Sequence, residues 1–273
     1  MKKNKFLLVS IVFIIIFVVQ PQNFQSLKNI FTQNDIASQL NISSSPEEKN
    51  DGLGTAYQTQ NEDLKSKSFD GQHQVIVVNE KAQFTAEELS MRNGSWEKYD
   101  NLDFLNRVGV AEAMLGKELM PKEARQDISS VKPTGWKNKK ITFNGKQDYL
   151  YNRSHLIGFQ LSGENANVKN LFTGTRALNA NFNDDKSSMV YYENEVANYI
   201  KKTNHHVRYR VTPLFKNVEL VARGVRIEAQ SIEDETISFD VYIFNGQPGY
   251  DIDYLTGSSE KIMIPVMKVR IIR

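Results

Sequence analysis

Apolar and polar residues alternate along several stretches of the chain, which is the pattern of half-buried β-strands. A first run covers residues 75–79. The later runs cover residues 205–215, 218–231, 237–245 and 261–273. Together they predict a central antiparallel sheet.

Apolar residues recur at helical spacing in two other stretches. Residues 101–118 place Leu102, Leu105, Val108, Ala111 and Leu115 three or four positions apart, which predicts an amphipathic core helix. Residues 189–202 predict a second helix, with Asn204 as its C-terminal signal. Thr85 and Glu88 form a capping-box pattern, which indicates a helix start within residues 84–90.

A hairpin is predicted over residues 140–146, because alternating residues lead into an Asn-Gly pair. The returning strand, residues 147–155, would end at His155. Residues 244–257 carry turn-forming residues and predict a loop. Sheet and helices together indicate an α+β fold, with a central antiparallel β-sheet flanked by helices.

The first 73 residues lack the pattern of a folded domain. A basic start precedes an uncharged apolar run of fourteen residues, 6–19. As a helix that run would rise about 21 Å, which is short of a bilayer core of about 30 Å. No A-x-A-like cleavage site follows it. By length the run is the apolar region of a signal peptide, whereas the missing cleavage site favours an uncleaved signal-anchor. We expect residues 1–20 to be an uncleaved signal-anchor, with a cleaved signal peptide as the alternative.

Residues 21–73 are rich in polar residues, Ser-Pro and charge, and they predict a flexible tether. Order is expected to begin near Gln74, so that residues 74–273 form the folded domain. That domain would then face the extracellular side of the membrane.

Net charge is only +2, but the charge is uneven. Residues 121–176 hold ten Lys and Arg against four Asp and Glu, a local excess of six positive charges. Such a cluster is typical either of a solvated basic face or of a polyanion-binding surface. The chain has no cysteine, which excludes disulfides, thiolate nucleophiles and Cys-ligated zinc.

The stretch YNRSHLIG, residues 151–158, ends an apolar strand pattern in a polar cluster. His155 can take a proton near neutral pH, and Arg153 offers a positive fork suited to phosphate. The same residues also fit a structural histidine beside a surface arginine. Short motifs of this kind do not separate the two interpretations.

A wider set of motifs changes the balance. NRSHLIG is followed by NLFTGTRALN (170–179) and by YYE (191–193) at the start of a predicted helix. Residues 101–136 and 208–215 belong to the same ordered set. Together they resemble the DNA/RNA non-specific endonucleases, which are ββα-metal (His-Me finger) nucleases, and within them the bacterial DNA-entry nucleases and streptodornases.

The resemblance implies an active site of known composition. His155 would be the general base, and activity is expected to rise with pH through its pKa, near or above the reference value for histidine. Asn179 would bind one Mg²⁺ ion, with Mn²⁺ as a substitute. Glu193 would orient a metal-bound water, and Asn170 would help to hold the site.

The remaining expected roles concern the substrate. Arg153 and Arg125 would contact the phosphate. Substrates would be double- and single-stranded DNA and also RNA, and the membrane would be contacted through the N-terminal apolar segment. Where the wider family has Asp-Arg-Gly-His, this chain has Asn152 and Ser154 in place of the Asp and the Gly, so the hydrogen bonds around His155 can differ.

Other interpretations stay open at this point. Asn170 and Asn179 are also typical loop caps, and Glu193 could be an exposed helix residue. His205 and His206 lack a third suitable ligand and are expected to be surface residues. A non-catalytic nucleic-acid receptor at the membrane surface is the alternative function, although binding alone does not require the set of His155, Asn179 and Glu193.

Overall fold

The computed structural model describes residues 52–143, 145–180 and 186–262. The predicted signal segment, most of the predicted tether and the last predicted strand beyond Ile262 lie outside these residues. In the part of the chain that is described, no helix combines the length and the apolar character needed to cross a membrane.

The described residues contain four α-helices and twelve β-strands. Helices α1 to α4 cover Gly52–Ser66, Phe159–Ser162, Arg176–Asn179 and Met189–Thr203, and a 3-10 turn covers Lys117–Leu119. Strands β1 to β7 cover Val75–Asn79, Trp96–Tyr99, Ala111–Leu115, Lys140–Phe143, Lys146–Tyr149, Tyr151–His155 and Leu171–Thr175. Strands β8 to β12 cover Val207–Leu214, Gly224–Ser231, Ser238–Phe244, Tyr250–Ile252 and Ser259–Lys261.

A six-stranded sheet with the order β1-β10-β9-β8-β3-β2 forms the centre of the fold. Every neighbouring pair in it is antiparallel. Three further two-stranded sheets pair β4 with β5, β6 with β7, and β11 with β12. The predicted α+β class with a central antiparallel sheet is confirmed.

One face of the central sheet is apolar and packs against helix α4. Because side chains alternate along a strand, β8 presents Val207, Tyr209 and Val211 to this side. Helix α4 contributes Val196 and Ile200, which are fully buried in the same core. The core is thus a helix-on-sheet layer, and its apolar burial is the main stabilising term of the fold.

The opposite face of the same sheet carries charged residues that are also buried. Arg226 and Asp240 have no exposed surface and form a bidentate pair, with Nε–Oδ1 and Nη2–Oδ2 distances of 2.8 and 2.6 Å. Glu228, equally buried, accepts from Arg210 Nε at 2.8 Å. Such pairs are costly to break singly, because the partner left behind is a buried uncompensated charge.

Helix α1 covers this charged face. The Tyr57 ring lies under the Arg226 guanidinium, 4.1 Å from ring centroid to Cζ, and the Tyr57 hydroxyl is 2.9 Å from Thr212 Oγ1. Gln60 and Asn61 each accept a 3.0 Å hydrogen bond from Arg226. The sequence predicted a flexible tether over residues 21–73. Helix α1 lies within that stretch, so regular structure begins earlier than the sequence predicted. Besides the buried Leu64, the helix docks through polar contacts, which leave no hydrophobic pattern in the sequence.

The prediction of a core helix over residues 101–118 is wrong. This stretch forms loop, strand β3 and a 3-10 turn. Asn106 adopts a positive φ of 61°, which breaks a helix, and β3 lies between β2 and β8 with Ala111, Ala113 and Leu115 on the core side. The apolar spacing fitted both periods over this short run, and pairing within the sheet decided the outcome.

The predicted hairpin forms as β4 and β5, but its returning strand is interrupted at Leu150. His155 therefore ends a separate strand, β6, whose partner is β7, with His155 opposite Leu171. The strand that carries His155 is thus paired with a segment beyond it in the chain, and not with the hairpin before it.

Smaller elements agree in part with the sequence. Thr85 and Glu88 do exchange the capping-box hydrogen bonds, at 2.8 and 3.2 Å, but only a turn follows them. Helix α4 and its left-handed cap at Asn204 are confirmed. The predicted loop at 244–257 contains the short strand β11.

The docking of α1 predicts a stability effect. Tyr57→Ala removes the ring from Arg226 and the hydroxyl from Thr212, so we expect the free energy of unfolding to fall by about 2–3 kcal/mol. Urea unfolding followed by circular dichroism measures this change. Gln58→Ala, an exposed position on the same helix, is the matched control and should stay within about 0.5 kcal/mol of the parent protein. Equal stability of the two variants would show that α1 does not stabilise the domain.

Candidate active site

The pairing of β6 with β7 forms the frame of the candidate site. His155 ends β6, and Asn170 directly precedes β7. The Leu156 backbone N–H donates to the Asn170 carbonyl at 2.8 Å, so the ladder continues one step past the strands. Helix α3 follows β7 without a gap and packs against β6, β7 and helix α4. Strands β6 and β7 and helices α3 and α4 thus form one packed unit that carries His155, Asn170, Asn179 and Glu193.

His155 is buried, with 6% of its surface exposed. Its Nε2 lies 2.8 Å from the Asn165 carbonyl oxygen, and its Nδ1 lies 3.4 Å from Arg125 Nη2. A guanidinium can only donate and a carbonyl can only accept, so the contacts select one tautomer. Nε2 carries the hydrogen, and Nδ1 is the basic nitrogen.

Burial of the imidazole lowers the pKa of His155 to about 4. The hydrogen bond to Asn165 raises the pKa and the positive charge of Arg125 lowers it, but loss of hydration is the largest cause. His155 is therefore neutral at physiological pH, as a general base must be. From the sequence we expected the pKa of His155 to lie near or above 6.5, the reference value for histidine. The structure places it lower, because the ring is buried and a sequence gives no measure of burial.

Glu193 lies on helix α4 and is buried, with 7% of its surface exposed. Burial raises its pKa to about 7, while Gln160 and the charge of Arg125 act in the opposite direction. The carboxylate accepts a long hydrogen bond of 3.4 Å from Gln160 Nε2. Glu193 is thus a buried acid and not an exposed helix residue.

The pKa shifts of His155 and Glu193 change the stability of the fold in different pH ranges. The stabilising contribution linked to His155 is present above its ordinary pKa of about 6.5 and is lost as the pH falls towards 4. The contribution linked to Glu193 is present below its ordinary pKa of about 4.5 and is lost as the pH rises through 7. Between these limits both buried groups are largely neutral.

Gly158 allows the close approach between the loop after β6 and helix α4. A β-carbon at this position would lie 2.3 Å from Glu193 Oε2, which is closer than van der Waals contact permits. Only glycine fits while Glu193 keeps its place. The final glycine of the YNRSHLIG stretch therefore serves the placement of Glu193.

Asn170 has no exposed surface, and its amide holds the chain that follows His155. Its Oδ1 accepts from Ile157 N at 2.9 Å, and its Nδ2 donates to the Ile157 carbonyl at 3.0 Å. These contacts fit the expected holding role. Both the oxygen and the nitrogen of the Asn170 side-chain amide are thus hydrogen-bonded to the backbone of Ile157.

Arg153 contacts the protein more than was expected of a phosphate ligand. Its guanidinium donates to the carbonyls of Val131 and Ser129 and lies over the Trp136 ring, 4.4 Å from the centroid. It thereby fixes the loop that precedes β4. Arg125 is exposed, contacts His155 and acts electrostatically on Glu193 as well. Of the two arginines, Arg125 is the one that contacts the candidate base.

Asn179 is the last residue of α3 and is half-buried. Residues 245–247 hold the start of that helix. Asn245 Oδ1 accepts from Thr175 N at 2.7 Å, and Gln247 Oε1 accepts from Ala177 N at 3.1 Å. Asn245 Nδ2 also donates to the Ala222 carbonyl at 3.0 Å, which ties α3 to the loop before β9. Sequence reasoning missed these supporting residues, because each lies far along the chain from the element that it holds.

The site residues do not form a closed metal cage. Among residues 52–143, 145–180 and 186–262, no group of three or more His, Asp or Glu side chains could hold a metal ion. His206 lies 2.6 Å from Glu233 and 3.7 Å from Glu118, and His205 lies 3.3 Å from Asp234, so both histidines have carboxylate neighbours away from the candidate site.

Comparison with known proteins assigns the chain to a family. Residues 89–233 match the family model of the DNA/RNA non-specific endonucleases, and they include His155, Asn170, Asn179 and Glu193. A deoxyribonuclease of Streptococcus dysgalactiae subsp. equisimilis is 34% identical over 119 residues, which are 42% of this chain. The match spans 35% of that protein, so the chain covers about a third of its length.

Two solved structures share the fold. NucA from Streptococcus agalactiae, with a magnesium ion bound, has a TM-score of 0.63 and 25% identity over 76% of this chain and 97% of that chain. The Sda1 nuclease with a bound zinc ion has a TM-score of 0.60 and 26% identity, over 72% of this chain and all of that chain.

The environment of His155 predicts an unusual titration. Because burial disfavours the imidazolium, we expect the His155 ring to titrate near pH 4 in the metal-free protein, below its ordinary value. Long-range ¹H–¹⁵N NMR measures this, with the His155→Gln variant assigning the signals. The same spectra should show the hydrogen on Nε2 at neutral pH. A midpoint at or above pH 6.5, or a hydrogen on Nδ1, would contradict the geometry.

Proposed function

Since the chain belongs to the DNA/RNA non-specific endonuclease family, we propose that it is a metal-dependent endonuclease that hydrolyses phosphodiester bonds of DNA, and of RNA as well. The observation that carries the proposal is His155, a buried neutral imidazole whose Nδ1 is the basic nitrogen. A histidine of this kind is suited to accept a proton from water.

His155 is oriented for this task by its surroundings. The Asn165 carbonyl holds Nε2–H, which keeps the lone pair on Nδ1. The Asn170 amide fixes the backbone of Ile157 behind it. Arg125, which lies against Nδ1, can turn to a phosphate oxygen when substrate arrives and leave Nδ1 free for water.

A divalent cation fits the donors that the chain offers. Asn179 has an amide oxygen, and Glu193 has a buried carboxyl group that accepts a long contact from Gln160. A carboxylate has about four acceptor positions, so capacity remains for a cation or its waters. These are the hard oxygen donors that Mg²⁺ prefers, with Mn²⁺ as a substitute, and a site with few protein ligands suits an ion that keeps several waters.

The metal content of the relatives supports this part of the proposal. NucA is described with magnesium bound and Sda1 with zinc. When bound here, a single Mg²⁺ ion would neutralise charge on the phosphate and on the departing 3′ oxygen. Asn179 would be its direct protein ligand, and Glu193 would orient a metal-bound water.

Little sequence preference is expected of this enzyme. The local excess of six positive charges in residues 121–176 attracts phosphates, which carry no sequence information. Double- and single-stranded DNA would both be cut, and cleavage would weaken with rising salt.

We also propose that the enzyme acts on the outer side of the cell membrane. Its support is the basic start and the apolar run at residues 6–19. Retention as a signal-anchor and release after cleavage are distinguished by the N-terminus of the active protein. A new N-terminus after Val19 in the culture medium would show cleavage.

Replacement of His155 tests whether the protein is an enzyme or a receptor. We expect His155→Ala to cleave supercoiled plasmid about 10²- to 10⁴-fold more slowly, because the base is lost. Affinity for a duplex oligonucleotide in chelator should stay nearly unchanged, because phosphate contacts come from Arg and Lys. His73→Ala, an exposed histidine, is the matched control.

Two results would contradict this proposal. Cleavage by His155→Ala at the parent rate would remove His155 from the chemistry. Binding without cleavage by the parent protein, with every divalent cation tried, would favour the receptor interpretation.

Replacement of Asn179 tests the cation ligand. We expect Asn179→Ala to bind Mg²⁺ more weakly in calorimetry without DNA, and to cleave more slowly even in excess Mg²⁺. Circular dichroism should stay that of the parent, because a half-buried residue at a helix end supports little of the core. Asn93→Ala, at an exposed position, serves as control. An unchanged Mg²⁺ titration would exclude Asn179 as a ligand.

A further inference from the structure

The β4–β5 hairpin has two unlike faces. Residues directly opposite in an antiparallel pair point to the same side of it. The register places Lys140 opposite Tyr149 and Thr142 opposite Gln147 on one side. Ile141 and Phe143, which alternate with these residues, point to the other side and are buried, with 3% and 6% of their surface exposed.

The outward face, formed by Lys140, Thr142, Gln147 and Tyr149, is exposed. Tyr149 leaves 51% of its surface in solvent, which is high for an aromatic residue in a strand. Its cross-strand neighbour is the cation Lys140, and Gln147 Nε2 donates to Thr142 Oγ1 at 2.9 Å beside them. An aromatic ring, a positive charge and two polar groups are thus presented together on one exposed face of the hairpin.

The hairpin is firmly joined to the elements of the candidate active site. Its inner side packs with Leu150 and Tyr151 in one small core. Asp148 forms a 2.8 Å ion pair with Arg176, the first residue of helix α3, and the Arg176 backbone N–H donates to the Leu150 carbonyl at 2.8 Å. The outward face therefore keeps a fixed position relative to the helix that ends in Asn179.

The same face lies within reach of a bound strand. Tyr149 precedes His155 by six residues, so at about 3.3 Å per residue the two lie no more than about 20 Å apart. Residues 137–149 hold four lysines and one acid, Asp148, whose charge is already paired with Arg176. The charge of the segment is therefore complementary to a polyanion.

We propose that the outward face of the β4–β5 hairpin binds single-stranded nucleic acid that flanks the scissile bond. Tyr149 stacks on an unpaired base, and Lys140 contacts a neighbouring phosphate. Stacking tolerates any base, because every base has an aromatic face, so this contact agrees with non-specific cleavage. The inference rests on the proposed nuclease function and extends it, because it assigns a subsite that favours unpaired substrate.

Binding measurements on the full chain test this subsite. The probes are a labelled 12-nucleotide thymidine single strand and a 12-base-pair duplex, followed by fluorescence anisotropy in EDTA so that no cleavage occurs. We expect Tyr149→Ala to bind the single strand about 5- to 150-fold more weakly, which corresponds to the loss of one stacked base. Duplex binding should change much less, because paired bases cannot stack on the ring.

Matched variants separate stacking from general effects. Tyr149→Phe keeps the ring and should bind both probes as the parent does. Phe104→Ala removes an aromatic residue that is 86% exposed on another loop and should change neither affinity. Lys140→Ala should reduce the salt dependence of single-strand binding by about 0.7 in the logarithmic slope, the value for one phosphate contact.

The outcomes are separable from those of the nuclease proposal. Equal single-strand affinities of Tyr149→Ala and the parent would overturn the inference, and so would equal losses on both probes, which would indicate no base stacking. If the parent cleaves plasmid while Tyr149→Ala binds normally, the inference alone fails. If the parent neither binds these probes nor cleaves, the nuclease proposal itself fails.

Discussion

The antiparallel pairing of β6 with β7 is the constraint on which the candidate site depends. Its register sets His155 opposite Leu171, so that Asn170 lies beside the chain leaving β6 and can bind both backbone groups of Ile157. The same strand, β7, leads directly into α3 and so determines where Asn179 lies. A slip of one residue would turn every side chain of β6 to the other face. One ladder of backbone hydrogen bonds thus places three of the expected functional residues.

Burial then gives these residues their chemistry. The same loss of hydration lowers the pKa of His155 to about 4 and raises that of Glu193 to about 7, because it disfavours the cation in one case and the anion in the other. The imidazole of His155, the candidate base, is therefore neutral across the physiological range. The Glu193 carboxyl, in contrast, loses its proton only near neutral pH, although the positive charge of Arg125 already favours its anion. Groups tuned in opposite directions by one environment are typical of sites that transfer protons.

The central sheet supports this arrangement through two different kinds of packing. Its apolar face packs against α4, which carries Glu193. Packing of the main core therefore also fixes the position of Glu193. Its other face buries the Arg226–Asp240 pair under α1. Loop connections complete the frame, since Asn245 links the sheet to the start of α3 and Arg153 holds the loop around Ser129. Each contact joins segments that are distant along the chain.

Much of this protein is determined by sequence alone. The two-residue alternation of β8 to β10, the helix of α4 with its cap at Asn204, and the family motifs around His155 are local patterns, and each follows from a few neighbouring residues. Only the tertiary structure decided the rest. Residues 111–115 fit a helix or a strand until β2 and β8 pair with them, and the helix at Gly52–Ser66 looks like a polar tether until Arg226 supplies its partners. The direction in which Arg153 points, the tautomer of His155 and the burial of Glu193 depend on carbonyls and side chains far along the chain, and burial and long-range contacts leave no periodic signal in a sequence.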